Sequence, residues 1–424
     1  MKEAIIYPSV LNGEVTVPPS KSVLHRAIIC AMLAKGKSVI KNAAFSKDIT
    51  ATINAAKAMG ADITFDGETI TVNGGTFTEK KAEINCFESG STLRFMVPVA
   101  AALGIDAVFT GEGRLPQRPI KELTEIISSG GVKCSGDALP LEINGKLSAG
   151  EYKIRGDISS QYITGLLLSL PLCDSDSKIE LLTPLQSKGY VDITIGVMED
   201  FGVKVTPTEN GWIIKGNQVY TPREFTAEGD WSQAAFFLTA AALNKESEIA
   251  VKGLNPLSKQ GDREIFDILD RFGADIKWNN GKVVCKGKEL NSLKIDASQI
   301  PDLVPILGVL IAFSQKQGEI FGAERLRIKE SDRLYTLCDG LLKLGFKVQE
   351  TDGGIIFSSG SHGTGECKVK GYNDHRIVMA MSVAALYYGY KVTIDDAQSI
   401  EKSYPRFFED YNSLGGKADV VNIR

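Results

Sequence analysis

Apolar positions along the chain fall into two alternating helical patterns. One is apolar nearly all round, at residues 162–170, 234–243, 303–312 and 377–386, as expected of helices enclosed by other elements. The other is amphipathic and stops at glycine. Before Gly273, residues Ile265, Ile268, Leu269 and Phe272 keep the i, i+3, i+4, i+7 spacing of a helix lying on a sheet. Short β-branched stretches such as Ser38-Val39-Ile40, Ala107-Val108-Phe109 and Ile249-Ala250-Val251 follow the apolar helices and predict strands. Pairs such as Asp66-Gly67 and Asn280-Gly281 predict tight turns between two further strands.

These patterns recur. The amphipathic helix closes at Gly60, Gly130, Gly202, Gly273, Gly345 and Gly415, with spacings of 70, 72, 71, 72 and 70 residues. Glycine at a helix C-terminus takes the left-handed conformation at little cost. Six units of about 71 residues therefore account for the chain. Each reads buried helix, strand, exposed helix, glycine, then two short strands. The sixth stops soon after its glycine, and residues 4–7 are the strand expected to complete it. A period this long argues for two closed groups of three units rather than a rod. The expected class is α/β (α+β), with the chain crossing between domains near Pro18-Pro19 and residues 226–230. One domain comprises residues 1–18 with 228–424 and the other residues 19–227, with the active site in the cleft between them.

Composition narrows the function. Of 424 residues, 43% are hydrophobic and 24% charged, and 48 basic against 52 acidic residues leave a net charge of −4. That balance argues against a dedicated nucleic-acid partner. Three histidines, His25, His362 and His375, are too scattered for a multi-histidine metal site, so no metal or cofactor is expected. Seven cysteines without a CxxC pair fit a reducing cytoplasm. No apolar run reaches the roughly 18 residues of a membrane span, so no membrane partner is expected, and a monomer is.

The chemistry lies at helix beginnings. Any single Ser or Asp there reads first as a cap. The basic residues do not, because a helix N-terminus is itself positive and a cation placed there costs up to about 1 kcal/mol. Yet Lys21, Arg94, Arg118, Lys329, Arg333, Arg376 and Lys402 all fall in or near predicted first turns. Recurrence at equivalent points suggests that an anion supplies the missing charge, aided by backbone N–H groups. Arginines favour planar carboxylates and phosphates, which they grip with two hydrogen bonds.

At these same segments the chain resembles the 5-enolpyruvylshikimate 3-phosphate synthase family. The stretches are Pro18-Pro19-Ser20-Lys21-Ser22 with His25-Arg26, Gly90-Ser91-Thr92-Leu93-Arg94, Gly111-Glu112 with Arg118-Pro119, Ser159-Ser160-Gln161, Ile300-Pro301-Asp302, Lys329-Glu330-Ser331-Asp332-Arg333, Asn373-Asp374-His375-Arg376 and Lys402. The resemblance implies two domains of three βαβαββ units each. It also implies transfer of the enolpyruvyl group of phosphoenolpyruvate to the 5-hydroxyl of shikimate 3-phosphate, with release of phosphate through a tetrahedral intermediate. By the same resemblance Lys21, Ser22, Arg26, Ser159, Ser160, Gln161, Ser187, Tyr190, Asp302 and Lys329 would hold shikimate 3-phosphate. Lys21, Gly90, Arg118, Gln161, Arg333, Arg376 and Lys402 would hold phosphoenolpyruvate. Lys21, Asp302 and Glu330 are the expected catalytic groups: Glu330 to move the methylene proton, Asp302 to take the hydroxyl proton, Lys21 to serve the departing phosphate. Arg325 and Leu326 stand where some members carry Asn and Trp.

Two rivals share some of these features. UDP-N-acetylglucosamine enolpyruvyl transferases resemble this fold, but carry Asn after the N-terminal Lys and usually a Cys before the Arg-Pro, where this chain has Ser22 and no cysteine in 111–117. A non-catalytic, two-lobed anion-binding protein would need the cations but neither Asp302 nor Glu330.

Overall fold

The computed structural model describes residues 1–423. Among these, the strands form six four-stranded sheets, each with one parallel pair at an edge and two antiparallel pairings. The chain divides into two compact units, one of residues 1–18 with those from Gly229 onward, the other Pro19–Glu228.

Each unit has its own core, and the apolar helices lie inside it. In Val304–Ser314 every residue from Val304 to Ala312 is buried, as is every residue of Trp231–Ala242. The amphipathic helices close over the sheets, and in Ile265–Phe272 the four predicted apolar positions are the buried ones. The repeat is more regular than its sequence suggests. In the second unit the left-handed glycine is Gly131, not Gly130, so the positions become 60, 131, 202, 273, 345 and 415, spaced 71, 71, 71, 72 and 70 residues apart. Asn280 and Gly281 are both left-handed, as a type I′ hairpin turn requires.

Strand Lys2–Tyr7 completes the sixth sheet between Val392–Ile394 and Lys417–Asn422. The latter strand is part of the sixth unit, so that unit lacks one strand rather than two. A second exchange was not anticipated. Gly13–Thr16 leads along the chain into helix Lys21–Leu33, yet pairs in parallel with Glu248–Lys252. Glu224–Thr226 leads into helix Trp231–Ala242, yet pairs in parallel with Gly36–Lys41. Each unit thus draws the opening strand of one repeat from a distant part of the chain. Backbone bonds fix both crossings: Ser20 N–H donates to the Glu228 carbonyl at 2.7 Å and Asp230 N–H to the Pro18 carbonyl at 2.9 Å.

Candidate active site

In the unit of residues 19–228 the site begins at the capped start of helix Lys21–Leu33, where Ser20 Oγ accepts from Val23 N–H. The Lys21 ammonium lies 2.7 Å from Asp48 Oδ2, in the first turn of helix Lys47–Ala58. An anion at the start of one helix therefore offsets the cation at the start of its neighbour.

Arg26 is 2% exposed and bridges three helices. Its Nε donates to Thr194 Oγ1 at 2.7 Å, Nη1 to the Ser22 carbonyl at 2.7 Å, and Nη2 to Thr164 Oγ1 at 3.3 Å and the Tyr190 carbonyl at 3.0 Å. These acceptors are all neutral, and burial pulls the guanidinium down to about 10. Tyr190, expected at the shikimate ring, enters this network through its backbone. Ser187 is buried and left-handed at the head of helix Lys188–Asp200.

A second layer surrounds Gly90, capped by Ser89 at the start of helix Gly90–Leu103. A Cβ at Gly90 would stand 2.4 Å from Arg94 Nη1 and 2.8 Å from Arg118 Nη1, so two guanidiniums lie directly over the missing side chain. Gln161, at the start of helix Ser160–Ser169, accepts from Arg94 Nη1 at 2.9 Å and donates to Ser91 Oγ at 2.9 Å. Ser159 Oγ in turn accepts from Gln161 N–H. The Pro119 carbonyl accepts from both Arg94 Nη2 and the Tyr162 hydroxyl, at 3.1 and 2.6 Å, and so fixes the backbone beside Arg118.

The other unit gathers Asp302, Lys329, Glu330, Arg333, Arg376 and Lys402. Arg333, 1% exposed, reaches Asp374 through Nε at 2.8 Å, Asp302 through Nη1 at 2.9 Å and Glu330 through Nη2 at 2.8 Å. Asp302 also meets Arg376 Nη2 at 3.1 Å and Lys329 Nζ at 3.8 Å. Three cations around one carboxylate stabilise its charge and orient both oxygens. Burial lowers the Lys329 ammonium to about 8, although Asp302 and Glu330 pull the other way. Asp374 is fully enclosed; burial would raise its carboxyl, but the charges of Arg333 and His375, with the hydrogen bond from Arg333, together outweigh this and hold it below the usual range. Lys402 Nζ donates to the Asn373 carbonyl at 2.6 Å.

Both sequence expectations for the polar residues hold in part. Ser20, Ser46, Ser89, Ser159, Asp230, Asp332 and Asp374 do cap helices. Lys21, Arg333 and Arg376 do open helices, but Arg94 sits one turn in, and Lys402 ends the 3-10 helix Ala397–Lys402 ahead of helix Phe407–Ser413. Asp48 and Asp374 were not picked out as charge partners. Their signal was acidity at a neighbouring helix start, hidden because the same residue type caps helices. Asp262 belongs with them: enclosed and bonded to the Ser232 hydroxyl, it is raised to about 7 by burial and by the charge of Asp302. Among the described residues no cluster of His, Cys, Asp and Glu could hold a metal ion, and no helix is long and apolar enough to cross a membrane.

The profile of the family described as EPSP synthase (3-phosphoshikimate 1-carboxyvinyltransferase) matches residues 6–411. The chain is 45% identical to the 3-phosphoshikimate 1-carboxyvinyltransferase of Clostridium kluyveri, covering 100% of both, and 44% identical to that of Clostridium perfringens, covering 98% of this chain and 99% of the other. The structure of EPSP synthase from Acinetobacter baumannii superposes with a TM-score of 0.83 at 25% identity, covering 100% of each chain. The enolpyruvyl transferase NikO of Streptomyces tendae shares the fold, with a TM-score of 0.82 at 17% identity, covering 100% of this chain and 99% of that one. A profile match and relatives that run the length of the chain agree with the motifs at the helix starts: the chain belongs to the EPSP synthase family.

Proposed function

We propose that this protein transfers the enolpyruvyl group of phosphoenolpyruvate to the 5-hydroxyl of shikimate 3-phosphate and releases phosphate. The observation that carries the reading is the pair of carboxylates, Asp302 and Glu330, braced on the one buried guanidinium of Arg333. The reaction needs two proton carriers. The hydroxyl loses its proton as its oxygen adds to the enol carbon, and the methylene carbon gains one. In the second step the methyl group gives a proton back as the carbon–phosphate oxygen bond breaks. Asp302, oriented by Arg333, Arg376 and Lys329, takes the hydroxyl proton; Glu330 serves the methylene carbon; Lys21 balances the leaving phosphate.

The binding roles are those that the family resemblance implies. Arg118, Arg333, Arg376 and Lys402, with Lys21, Gly90 and Gln161, take phosphoenolpyruvate. Ser22, Arg26, Ser159, Ser160, Gln161, Ser187, Tyr190, Lys329 and Asp302, again with Lys21, take shikimate 3-phosphate. Arg26 supports this division, because a buried guanidinium among neutral oxygens favours an arriving anion. The two constellations, one in each unit, serve a single reaction. The reading takes the protein as a cytoplasmic monomer; cysteines that are free throughout support the reducing setting.

Phosphate release on mixing the protein with phosphoenolpyruvate and shikimate 3-phosphate tests the reading, with UDP-N-acetylglucosamine as the parallel acceptor. Release that depends on shikimate 3-phosphate is expected. Release with the nucleotide sugar alone, or tight binding without turnover, would overturn it. Gly90→Ala sharpens the assignment. Its methyl group must displace Arg94 or Arg118, which at the usual cost of overpacking raises the KM for phosphoenolpyruvate on the order of 10-fold or more. The KM for shikimate 3-phosphate should stay within about twofold, as steady-state kinetics would show.

A further inference from the structure

The residues after strand Val392–Ile394 clamp the residues after its parallel neighbour, Cys367–Val369. Asp395 Oδ1 accepts from Gly371 N–H at 2.6 Å and Asp396 Oδ2 from Asn373 N–H at 3.0 Å. The two exits are pressed together. A Cβ at Gly371 would lie 2.3 Å from the Asp395 carbonyl and 3.2 Å from Asp396 Cβ.

The clamped backbone is strained. Tyr372, Asn373 and Asp396 are non-glycine residues in the left-handed region, with φ of 55°, 49° and 54°. Each such residue costs of order 1 kcal/mol or more and persists only where its surroundings over-determine it. The product of this strain is the direction of one carbonyl, that of Asn373, which accepts from Lys402 Nζ. The next residues are Asp374, which holds Arg333, and Arg376, which reaches Asp302. Asp396 also stands at the start of the 3-10 helix that ends at Lys402, where its backbone carbonyl, not its side chain, accepts from Ser399 N–H at 2.9 Å. It therefore holds both ends of the Asn373–Lys402 contact: the lysine through its own segment, the carbonyl through its carboxylate.

The third repeat clamps its strand exits with a hydroxyl as the acceptor, itself bonded to the Asp157 carboxylate at 2.7 Å. There the Thr183 hydroxyl accepts from Gly156 and Asp157 N–H groups at 2.9 and 3.3 Å. The sixth repeat, whose clamped carbonyl meets a lysine, uses two carboxylates instead.

We propose that Asp396 is a positioning residue for phosphoenolpyruvate binding, acting by holding the left-handed Tyr372–Asn373 turn so that the Asn373 carbonyl fixes the Lys402 ammonium. The proposal rests on the reading that Lys402 binds phosphoenolpyruvate. Asp396→Ala removes the acceptor of the Asn373 N–H and frees the turn to relax.

Steady-state kinetics with each substrate varied in turn, together with a thermal melt, tests it. In Asp396→Ala the KM for phosphoenolpyruvate should rise about tenfold while that for shikimate 3-phosphate stays within about twofold, the scale of one lost charge-assisted bond. Asp396→Asn keeps the shape and a neutral acceptor, so its KM should lie between; it also serves if the alanine variant folds poorly. Combining Asp396→Ala with Lys402→Met should raise the KM no further than Lys402→Met alone, since both act through one ammonium. An unchanged KM for phosphoenolpyruvate in both Asp396 variants would overturn the proposal. So would a rise in both KM values in step with a lower melting temperature, which marks a merely structural role. If Lys402→Met itself leaves the KM for phosphoenolpyruvate unchanged, Lys402 leaves the site and the proposal falls with it. The enzyme reading would then still stand on turnover of the unaltered protein.

Discussion

Arg333→Met is expected to unfold the Asp302 cluster rather than simply weaken a ligand. Three carboxylates, Asp302, Glu330 and Asp374, share this one buried guanidinium. Removing one partner of a buried ionic network leaves uncompensated charge, at a cost of about 3–5 kcal/mol. Denaturant unfolding at pH 7 should show that loss, with no measurable turnover. The pH dependence fixes the sign. In the unaltered protein Asp374 is held below its usual range, mainly against burial and by Arg333. It thus contributes stability above its unfolded value that fades as pH falls through the native one. Without Arg333 burial is the largest influence left, joined by the charge of Glu330, so the carboxyl rises and the variant is least stable where it must ionise. The deficit relative to the unaltered protein should therefore shrink as pH falls from 7 towards 4. A deficit that grows in acid would show that the guanidinium is held chiefly by other groups.

Asp302→Asn should do the opposite: leave the fold largely intact and stop the chemistry. Asparagine keeps the shape and one carbonyl oxygen for Arg333 or Arg376, but it cannot take a proton. Loss of a general base costs about 10²–10⁴ in kcat. Phosphate release should fall by that factor. Calorimetry should find phosphoenolpyruvate bound at least as tightly as before, because Arg333, Arg376 and Lys329 lose a competing anion. Turnover within tenfold of the unaltered enzyme would hand the hydroxyl proton to another group. The same measurement on Glu330→Gln separates the two carboxylates: unchanged turnover would remove Glu330 from the mechanism and leave it as an ion-pair partner of Arg333.

Much of this was legible because the repeat writes the same physics six times. A helix buried on every side, such as Val304–Ser314, cannot be mistaken for a surface helix, and glycine at a left-handed C-terminus marks each unit. The candidate site was legible in part, because Lys21, Arg333 and Arg376 open helices, where a cation conflicts with the local field. What the sequence withheld is pairing across distance. Nothing local to Lys21 points to Asp48 rather than to an outside anion, because Asp48 has its own explanation as a first-turn acid. Arg26 likewise reads as a ligand group, whereas its side chain also ties three helices through oxygens that belong to hydroxyls and backbone. The strands Gly13–Thr16 and Glu224–Thr226 are short and carry few apolar residues, so the partner of each is set by the crossing of the chain and not by its own pattern. Gly130-Gly131 shows the resolution limit of such reading: of two adjacent glycines, only backbone geometry tells which one turns.

The interleaved strands also impose a timetable on synthesis. Glu224–Thr226 reaches Gly36–Lys41 once it has left the ribosome, so the sheets of residues 19–228 can close while the rest of the chain is still being translated. Lys2–Tyr7 cannot. Its partners are Val392–Ile394 and Lys417–Asn422, and at about 5–20 residues per second it emerges roughly 20–80 s before the last of them. During that interval an alternating strand with two open edges is exposed, the kind of segment that pairs promiscuously. A nascent chain stalled near residue 270 should therefore hold one protease-resistant half and an unpaired strand Lys2–Tyr7, which makes that strand the natural point of contact for a ribosome-bound chaperone.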